Sequence, residues 1–101
     1  MKGELYTSVE MIKRNGSITA VINGELDHCE AAGVRMQIDP ELEHLMPTML
    51  ILDMSGVTFM DSSGIGLILG RQRIMESLGG GIAVGSSDGE AVKGGTLGVS
   101  M

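Results

Sequence analysis

Residues 49–54 read Met-Leu-Ile-Leu-Asp-Met, an almost unbroken apolar run of strand length. Runs of this kind are typical of a central strand that is covered on both faces. Ser55-Gly56 is expected to turn the chain after this strand. The cluster Asp61-Ser62-Ser63-Gly64 follows, and it predicts a helix that begins at Ser62 or Ser63 because these residue types favour helix N-termini. A buried strand followed by a helix favours an α/β sheet with right-handed crossovers.

The first half of the chain predicts a hairpin and then a helix. Residues 5–12 and 17–23 show strand patterning, and Asn15-Gly16 between them is a favoured hairpin turn. Pro40 lies within the helical pattern that follows and predicts a kink or a restart there, whereas Pro47 marks the end. The expected apolar stripe of this helix consists of Ala31, Val34, Ile38, Leu42 and Leu45.

The second half predicts one more helix and one more strand. Gly79-Gly80-Gly81 is expected to end the helix that starts at Ser62 or Ser63, and residues 82–84 form a short strand candidate. The expected buried stripe of that helix consists of Leu67, Ile68, Ile74, Met75 and Leu78. A chain of 101 residues holds one core, so residues 1–101 are expected to form one domain. Residues 94–101 are glycine-rich and are expected to be a mobile or loosely docked tail.

The charge balance and the cysteine count exclude several classes of function. The net charge is −6 and no basic patch occurs, so nucleic acid is not an expected partner. No apolar run is long enough to span a membrane, and the single Cys29 cannot form an intramolecular disulfide, so the expected compartment is the cytoplasm. Cys29 and His28 make at most half of a zinc site, so no metal is expected.

The segment around the two serines gives the most information about function. Capping explains one hydroxyl at a helix start, but not both Ser62 and Ser63. A helix N-terminus also tolerates a phosphate, and a phosphate on Ser62 would add about −1.5 to −2 charges beside Asp61. Ile65 and Leu69 fall on the helix side opposite the buried stripe. Together with a modifiable serine they predict the apolar centre of a protein-docking surface.

The sequence gives weaker support for two other kinds of site. A serine nucleophile with His28 and Asp27 lacks the Gly-x-Ser-x-Gly pattern, so no catalytic residue is expected and the chain is not predicted to be an enzyme. Residues 64–70 resemble a dinucleotide-binding loop, although the third glycine comes one position late. A small-ligand or nucleotide-binding domain that uses this loop is the alternative function, and no cofactor is assigned.

Three segments carry a resemblance to a known family: residues 24–28 (Gly-Glu-Leu-Asp-His), residues 50–57 and residues 59–71. They resemble the STAS-domain anti-sigma-factor antagonists, most closely those that act on the anti-sigma F kinase in bacterial sporulation. The resemblance implies a small mixed sheet of about four strands with helices packed mainly on one face. It also implies that Ser62 is the residue phosphorylated by an anti-sigma serine kinase with ATP, and that Ser63 is the capping neighbour.

In such proteins the unphosphorylated antagonist binds the nucleotide-bound anti-sigma factor and frees the sigma factor. Phosphorylation ends this binding, and a metal-dependent serine phosphatase restores it. The resemblance implies that Asp27 lies beside the serine and shapes the kinase contact. The expected partner surface therefore comprises Asp27, Asp61, Ser63, Gly64, Ile65, Gly66 and Leu69.

The C-terminus departs from the family, which continues with more helix beyond the segment resembling residues 91–93. A monomer is expected, and a dimer is the alternative because a shortened end would uncover apolar sheet surface.

Overall fold

The computed structural model describes residues 7–85, which form a four-stranded sheet and two helices. In chain order the elements are β1 (Ser8–Arg14), β2 (Ser17–Leu26), α1 (His28–Leu45), β3 (Met49–Met60), α2 (Ser62–Ser77) and β4 (Gly81–Gly85). The strands lie in the order β1-β2-β3-β4. β1 pairs antiparallel with β2, and the other two pairings are parallel, so the expected mixed sheet of four strands is confirmed. Positions 5, 6 and 94–101 lie outside the described residues.

The hairpin between β1 and β2 has the predicted turn. Asn15 and Gly16 have φ values of 50° and 83°. Positive φ at two successive residues is what a tight hairpin turn requires, and asparagine and glycine tolerate it best. The turn sets the register, in which Arg14 pairs with Ser17 and Ser8 with Asn23.

The core lies between one face of the sheet and the two helices. β2 and β3 alternate, so that Ile18, Ala20, Ile22, Leu50 and Leu52 are buried together. The helices contribute Ala31, Val34, Ile38 and Leu42 from α1, and Leu67, Ile68 and Met75 from α2. These are most of the residues in the predicted stripes. Leu45 is 43% exposed, because it is the last residue of α1.

The opposite face of the sheet is less covered by the described residues than the apolar run in β3 suggested. Ile51 is only half-buried, whereas its neighbours Leu50 and Leu52 are fully buried. Asp53 and Ala83, on the same face as Ile51, are buried, so the described residues confirm the prediction of a strand covered on both faces only in part. Both described helices pack against one face, as expected from the resemblance.

One boundary prediction is wrong, and one of the two alternatives in a second is also excluded. The chain does not turn at Ser55-Gly56, because β3 continues to Met60 by pairing with the second half of β2. The pairing register shifts after Asp53 and again after Val57, because β3 has one more residue than β2 at each place. The extra residues form bulges, and the pairing of the two strands resumes beyond them. The helix does not restart at Pro40, since α1 includes it without a break, and the alternative of a kink there stays a prediction. Ile38 and Leu42 are fully buried on either side of the proline, and their packing holds the helix together across the missing N–H.

Candidate functional site

Both helices begin at the same edge of the sheet. Leu26, the last residue of β2, pairs with Met60, the last residue of β3. The residue after each of them, Asp27 or Asp61, is the N-cap of the helix that follows. Two adjacent parallel strands thus place the two helix N-termini side by side. This is the arrangement that the resemblance implied for Asp27 and the serine segment.

Asp27 caps the start of α1 with both its side chain and its backbone carbonyl. Its Oδ1 accepts hydrogen bonds from the backbone N–H groups of Cys29 and Glu30, both at 3.0 Å. Its backbone carbonyl accepts from the N–H of Ala31 at 2.8 Å. Glu30 adds a second carboxylate to the first turn. This helix start already has the negative charge that its dipole favours.

The start of α2 is capped by Asp61 and not by a serine hydroxyl. The Oδ1 of Asp61 accepts from the N–H of Ser63 at 2.8 Å, and its carbonyl accepts from the N–H of Gly64 at 3.0 Å. The expectation that Ser63 acts as a cap is wrong, because its backbone N–H is itself the capped group. Among the described residues neither serine hydroxyl has a hydrogen-bond partner. Ser62 is exposed and Ser63 is half-buried, so the more accessible hydroxyl belongs to Ser62.

Gly64 is required by packing. A Cβ at this position would overlap Cγ of Met60, and it would lie 2.7 Å from Met60 Sδ and 3.1 Å from the carbonyl oxygen of Leu26. The missing side chain lets the first turn of α2 lie directly on the ends of β2 and β3. Residues 64–70 are helical throughout, so they do not form the phosphate-binding loop considered from the sequence.

Exposed apolar side chains come before and after the exposed serine in the chain. Ile65 and Leu69 are 52% and 49% exposed, as their place opposite the buried stripe predicted. Phe59 and Met60, at the end of β3, are also exposed at 52% and 41%. Sequence analysis missed this second pair because it placed a turn before them. The first turn of α2 carries no acidic residue of its own, unlike that of α1.

An ion pair between the helices was also missed. Arg71 on α2 is 6% exposed, and its Nε lies 2.9 Å from Oδ1 of the half-buried Asp39 on α1. Burial raises the pKa of Asp39, and the charges of Arg71 and Arg35 offset this rise only in part. Burial likewise lowers the pKa of Arg71 against the opposing charge of Asp39. The two residues are far apart in sequence, so no local pattern could have indicated the pair.

The described residues contain no cluster of three or more His, Cys, Asp or Glu side chains suited to a metal ion. Cys29 is exposed, and its Sγ lies 3.6 Å from Nε2 of His28. Neither helix within residues 7–85 is long and apolar enough to cross a membrane.

Comparison with known proteins assigns the family. The STAS domain model matches residues 8–90. The chain belongs to the STAS family. The match spans every described strand and helix, including the two neighbouring helix starts.

Among relatives, the STAS chain is 38% identical over 76 residues to an anti-sigma F factor antagonist of Paenibacillus polymyxa, with 75% of this chain and 65% of the relative aligned. A solved structure of SpoIIAA, an anti-sigma factor antagonist in its unphosphorylated form, matches with a TM-score of 0.65 and 33% identity, covering 77% of this chain and 70% of that one. The phosphorylated form of SpoIIAA from Bacillus matches with a TM-score of 0.60 and 33% identity, covering 78% and 68%. The chain spans just under two thirds of the length of the curated relatives it matches, 64–65%.

Proposed function

We propose that this STAS chain is an anti-sigma factor antagonist controlled by phosphorylation of Ser62. Its unphosphorylated form binds an anti-sigma serine kinase holding ATP or ADP, which releases the sigma factor. A phosphate on Ser62 ends that binding, and a metal-dependent serine phosphatase restores it. The chain acts as a binding protein and not as an enzyme, in the cytoplasm of a bacterium, with sporulation as the process controlled.

The observation that carries this proposal is the state of Ser62. It is the first residue of α2, it is exposed, and Asp61 already supplies the cap that its hydroxyl would otherwise provide. The hydroxyl is therefore available to a kinase without loss of the helix start. The name of the Paenibacillus relative and the phosphorylated SpoIIAA structure support the same assignment.

The surroundings of Ser62 support a switch in binding. The exposed side chains of Ile65 and Leu69 form an apolar surface on the same helix, which suits a protein partner. A phosphate at the helix start is compatible with the fold, because the dipole and free N–H groups favour negative charge there. Beside Asp61, however, its charge of about −1.5 to −2 would repel acidic groups on a partner or on a nucleotide that it holds.

The first experiment tests the acceptor residue. The chain is incubated with an anti-sigma F-type kinase and ATP, and the phosphate is counted by intact mass and located by fragmentation. One phosphate is expected on Ser62, absent from Ser62→Ala and retained in Ser63→Ala. A folded chain that gains no phosphate, or gains it on Ser63, contradicts the proposal. Saturable binding of labelled ATP or GTP to the chain alone would instead favour the alternative, a nucleotide-binding STAS domain.

A second experiment tests the apolar surface with a matched control. Ile65→Gln should weaken kinase binding by about tenfold or more, because truncating a central apolar contact typically removes over about 1 kcal/mol. Met36 on α1 is 71% exposed and lies on the other helix, so Met36→Gln makes the same kind of change away from the site. Isothermal titration calorimetry with the purified kinase should show near-wild-type affinity for Met36→Gln. Equal losses in both variants would place the contact elsewhere.

A further inference from the structure

A cavity of about 420 Å³ opens between the N-terminal halves of α1 and α2. We call it the α1–α2 groove. Its principal lining residues are Ala31, Ala32, Arg35, Gly66, Gly70 and Arg71. Ser63 lines it as well, so the groove adjoins the surface around Ser62. Small side chains form much of its wall, and two arginines supply positive charge.

Arg71 has hydrogen-bonding capacity that the described residues do not use. Its guanidinium carries five N–H donors. Nε lies 2.9 Å from Oδ1 of Asp39 as an ion pair, but these two atoms and Nη1 are all buried without a hydrogen bond in the described part of the chain. Buried donors are rarely left in this state in the absence of a ligand or water. A planar guanidinium is also the group best shaped to hold a carboxylate through two parallel hydrogen bonds.

Arg35 adds a second, exposed cation to the same groove. It lies on α1, and its charge acts on both Asp39 and Arg71. The carboxylate of Asp39 lies near these guanidinium groups and that of Glu43 acts on Asp39, but neither carboxylate lines the groove. The lining of the groove itself carries arginines and no acidic residue, in contrast with the net charge of −6 for the whole chain. An anionic group is the complementary ligand.

Two glycines leave part of the α2 side of the groove without side chains. A Cβ at Gly66 or at Gly70 would meet nothing within 4 Å, so internal packing requires neither glycine. Both lie inside α2, where glycine is less favourable than alanine by about 1 kcal/mol. Unlike Gly64, these positions are not required by contacts among the described residues, and they leave room for a partner side chain on the α2 side of the groove.

We propose that the α1–α2 groove receives an acidic side chain of the protein partner, whose carboxylate is bound by the exposed Arg35 and attracted by the charge of the buried Arg71. This inference rests on the proposed function and extends it to residues outside the serine segment. Ser63 and Gly66 belong both to the groove and to the expected partner surface, so a single partner can cover the two together. A phosphate on Ser62, adjacent in sequence to Ser63, would oppose the entry of a carboxylate.

The main test compares two arginines in kinase binding. Arg35→Gln should weaken binding of the anti-sigma F-type kinase by about fivefold at low salt, and the difference should shrink at high salt. Arg73 is also exposed and lies on α2, but it does not line the groove. Arg73→Gln changes the net charge equally and should leave affinity within about twofold of wild type. Equal losses in the two variants would indicate only general charge attraction and would overturn the proposal.

A second comparison blocks the groove without touching its charges. Gly70→Leu places a side chain in the open space and should weaken kinase binding by about tenfold or more. Gly33 lies on α1, also has open space around it and does not line the groove, so Gly33→Leu is the matched control. Circular dichroism melts verify that both variants fold. Wild-type affinity in a folded Gly70→Leu would overturn the proposal.

The chemistry of the groove is measured separately with sodium acetate as the probe. In two-dimensional NMR at constant ionic strength, acetate should shift the amide signals of Ala32, Gly66 and Gly70 saturably, and Arg35→Gln should reduce the effect. Inorganic phosphate is run in parallel; a response to phosphate but not to acetate would overturn the assignment of a carboxylate. If the wild type neither binds the kinase nor gains a phosphate, the proposed function fails. In that case, localised shifts on addition of acetate would still support an anion site in the α1–α2 groove. The absence of such shifts would overturn the anion site.

Discussion

The N-termini of α1 and α2 are two versions of one local structure. Each follows a strand end, each is capped by an aspartate, and the two lie next to each other at one edge of the sheet. The side chain of Asp27, however, accepts from two backbone N–H groups, and the side chain of Asp61 accepts from one. The first turn of α1 contains an acidic residue and that of α2 contains none.

The difference is that the start of α1 is held by its own side chains, whereas the start of α2 leaves polar and apolar groups exposed. α1 begins with its donors and its dipole largely satisfied by its own side chains. α2 begins with an exposed hydroxyl at Ser62 and with exposed Ile65 one turn later. The same capping rule therefore stabilises both helices, and the second start differs in presenting an exposed serine hydroxyl close in sequence to exposed apolar side chains.

The largest expected effect is at Gly64, where α2 rests on the strand ends. Gly64→Ala should lower the free energy of unfolding by about 1–3 kcal/mol, because the added Cβ collides with Met60 and approaches the backbone of Leu26. Urea denaturation measures this change. Gly33→Ala on α1 is the control; with no atom within 4 Å of its Cβ it should raise stability by up to about 1 kcal/mol. A neutral Gly64→Ala would mean that α2 can shift away from the strands.

The next largest effect compares the two caps. Asp27→Ala should lower the free energy of unfolding by about 1–2 kcal/mol, because two backbone N–H groups lose their acceptor. Asp61→Ala, which frees one N–H group, should lower it by about 0.5–1 kcal/mol. Thermal and urea denaturation of both variants give the ranking.

Asparagine caps nearly as well as aspartate, so Asp27→Asn and Asp61→Asn separate the loss of the cap from the loss of charge. Both should retain most of the stability lost in the alanine variants. A reversed ranking of Asp27→Ala and Asp61→Ala would remove the distinction between the two helix starts.

Local patterns were sufficient to predict most of the fold. The Asn15-Gly16 turn and the spacing of residues such as Val34, Ile38 and Leu67 depend only on neighbours in sequence, and the structure confirms them. The turn at Ser55-Gly56 was wrong because strand pairing overrides local turn preference: the end of β2 supplies the partners that carry β3 on to Met60. A Cβ at Gly56 would overlap Asn23, so this glycine serves strand packing.

The site was predictable in part for the same reason. Ser62, Ile65 and Leu69 could be located because a helix start and a helix face are local properties. The choice of Asp61 over the serines as cap depends on backbone geometry that several residue types can satisfy. The pairing of Asp39 with Arg71 and the groove beside it depend on how two helices cross, and residue spacing carries no signal for that. The roles assigned to Asp27, Ser62 and the partner surface remain predictions.

The smallest expected effect tests what joins the two helices. Burial raises the pKa of Asp39 above its ordinary value of 3.8, so ionising this carboxyl opposes folding even beside Arg71. Its favourable contribution is fully present below pH 3.8 and is lost as the pH rises through the raised pKa of the folded state. At pH 7, Asp39→Asn removes a carboxylate whose ionisation opposes folding, but it also leaves the buried Arg71 without its charge partner. Because these two effects oppose each other, the free energy of unfolding should change by less than about 1 kcal/mol.

Carbon-detected NMR of the Asp39 carboxyl gives the decisive measurement, with an expected midpoint above 3.8. Glu43→Gln sharpens it, because the charge of Glu43 contributes to the rise and its removal should lower the midpoint. Urea denaturation of wild type and Asp39→Asn between about pH 3 and pH 7 should show the wild type losing relative stability as Asp39 ionises. A loss of several kcal/mol in Asp39→Asn at pH 7 would show that the charge pair holds α1 to α2. The expected small change would instead attribute their contact to the apolar residues of the two stripes, Val34, Ile38 and Leu67 among them.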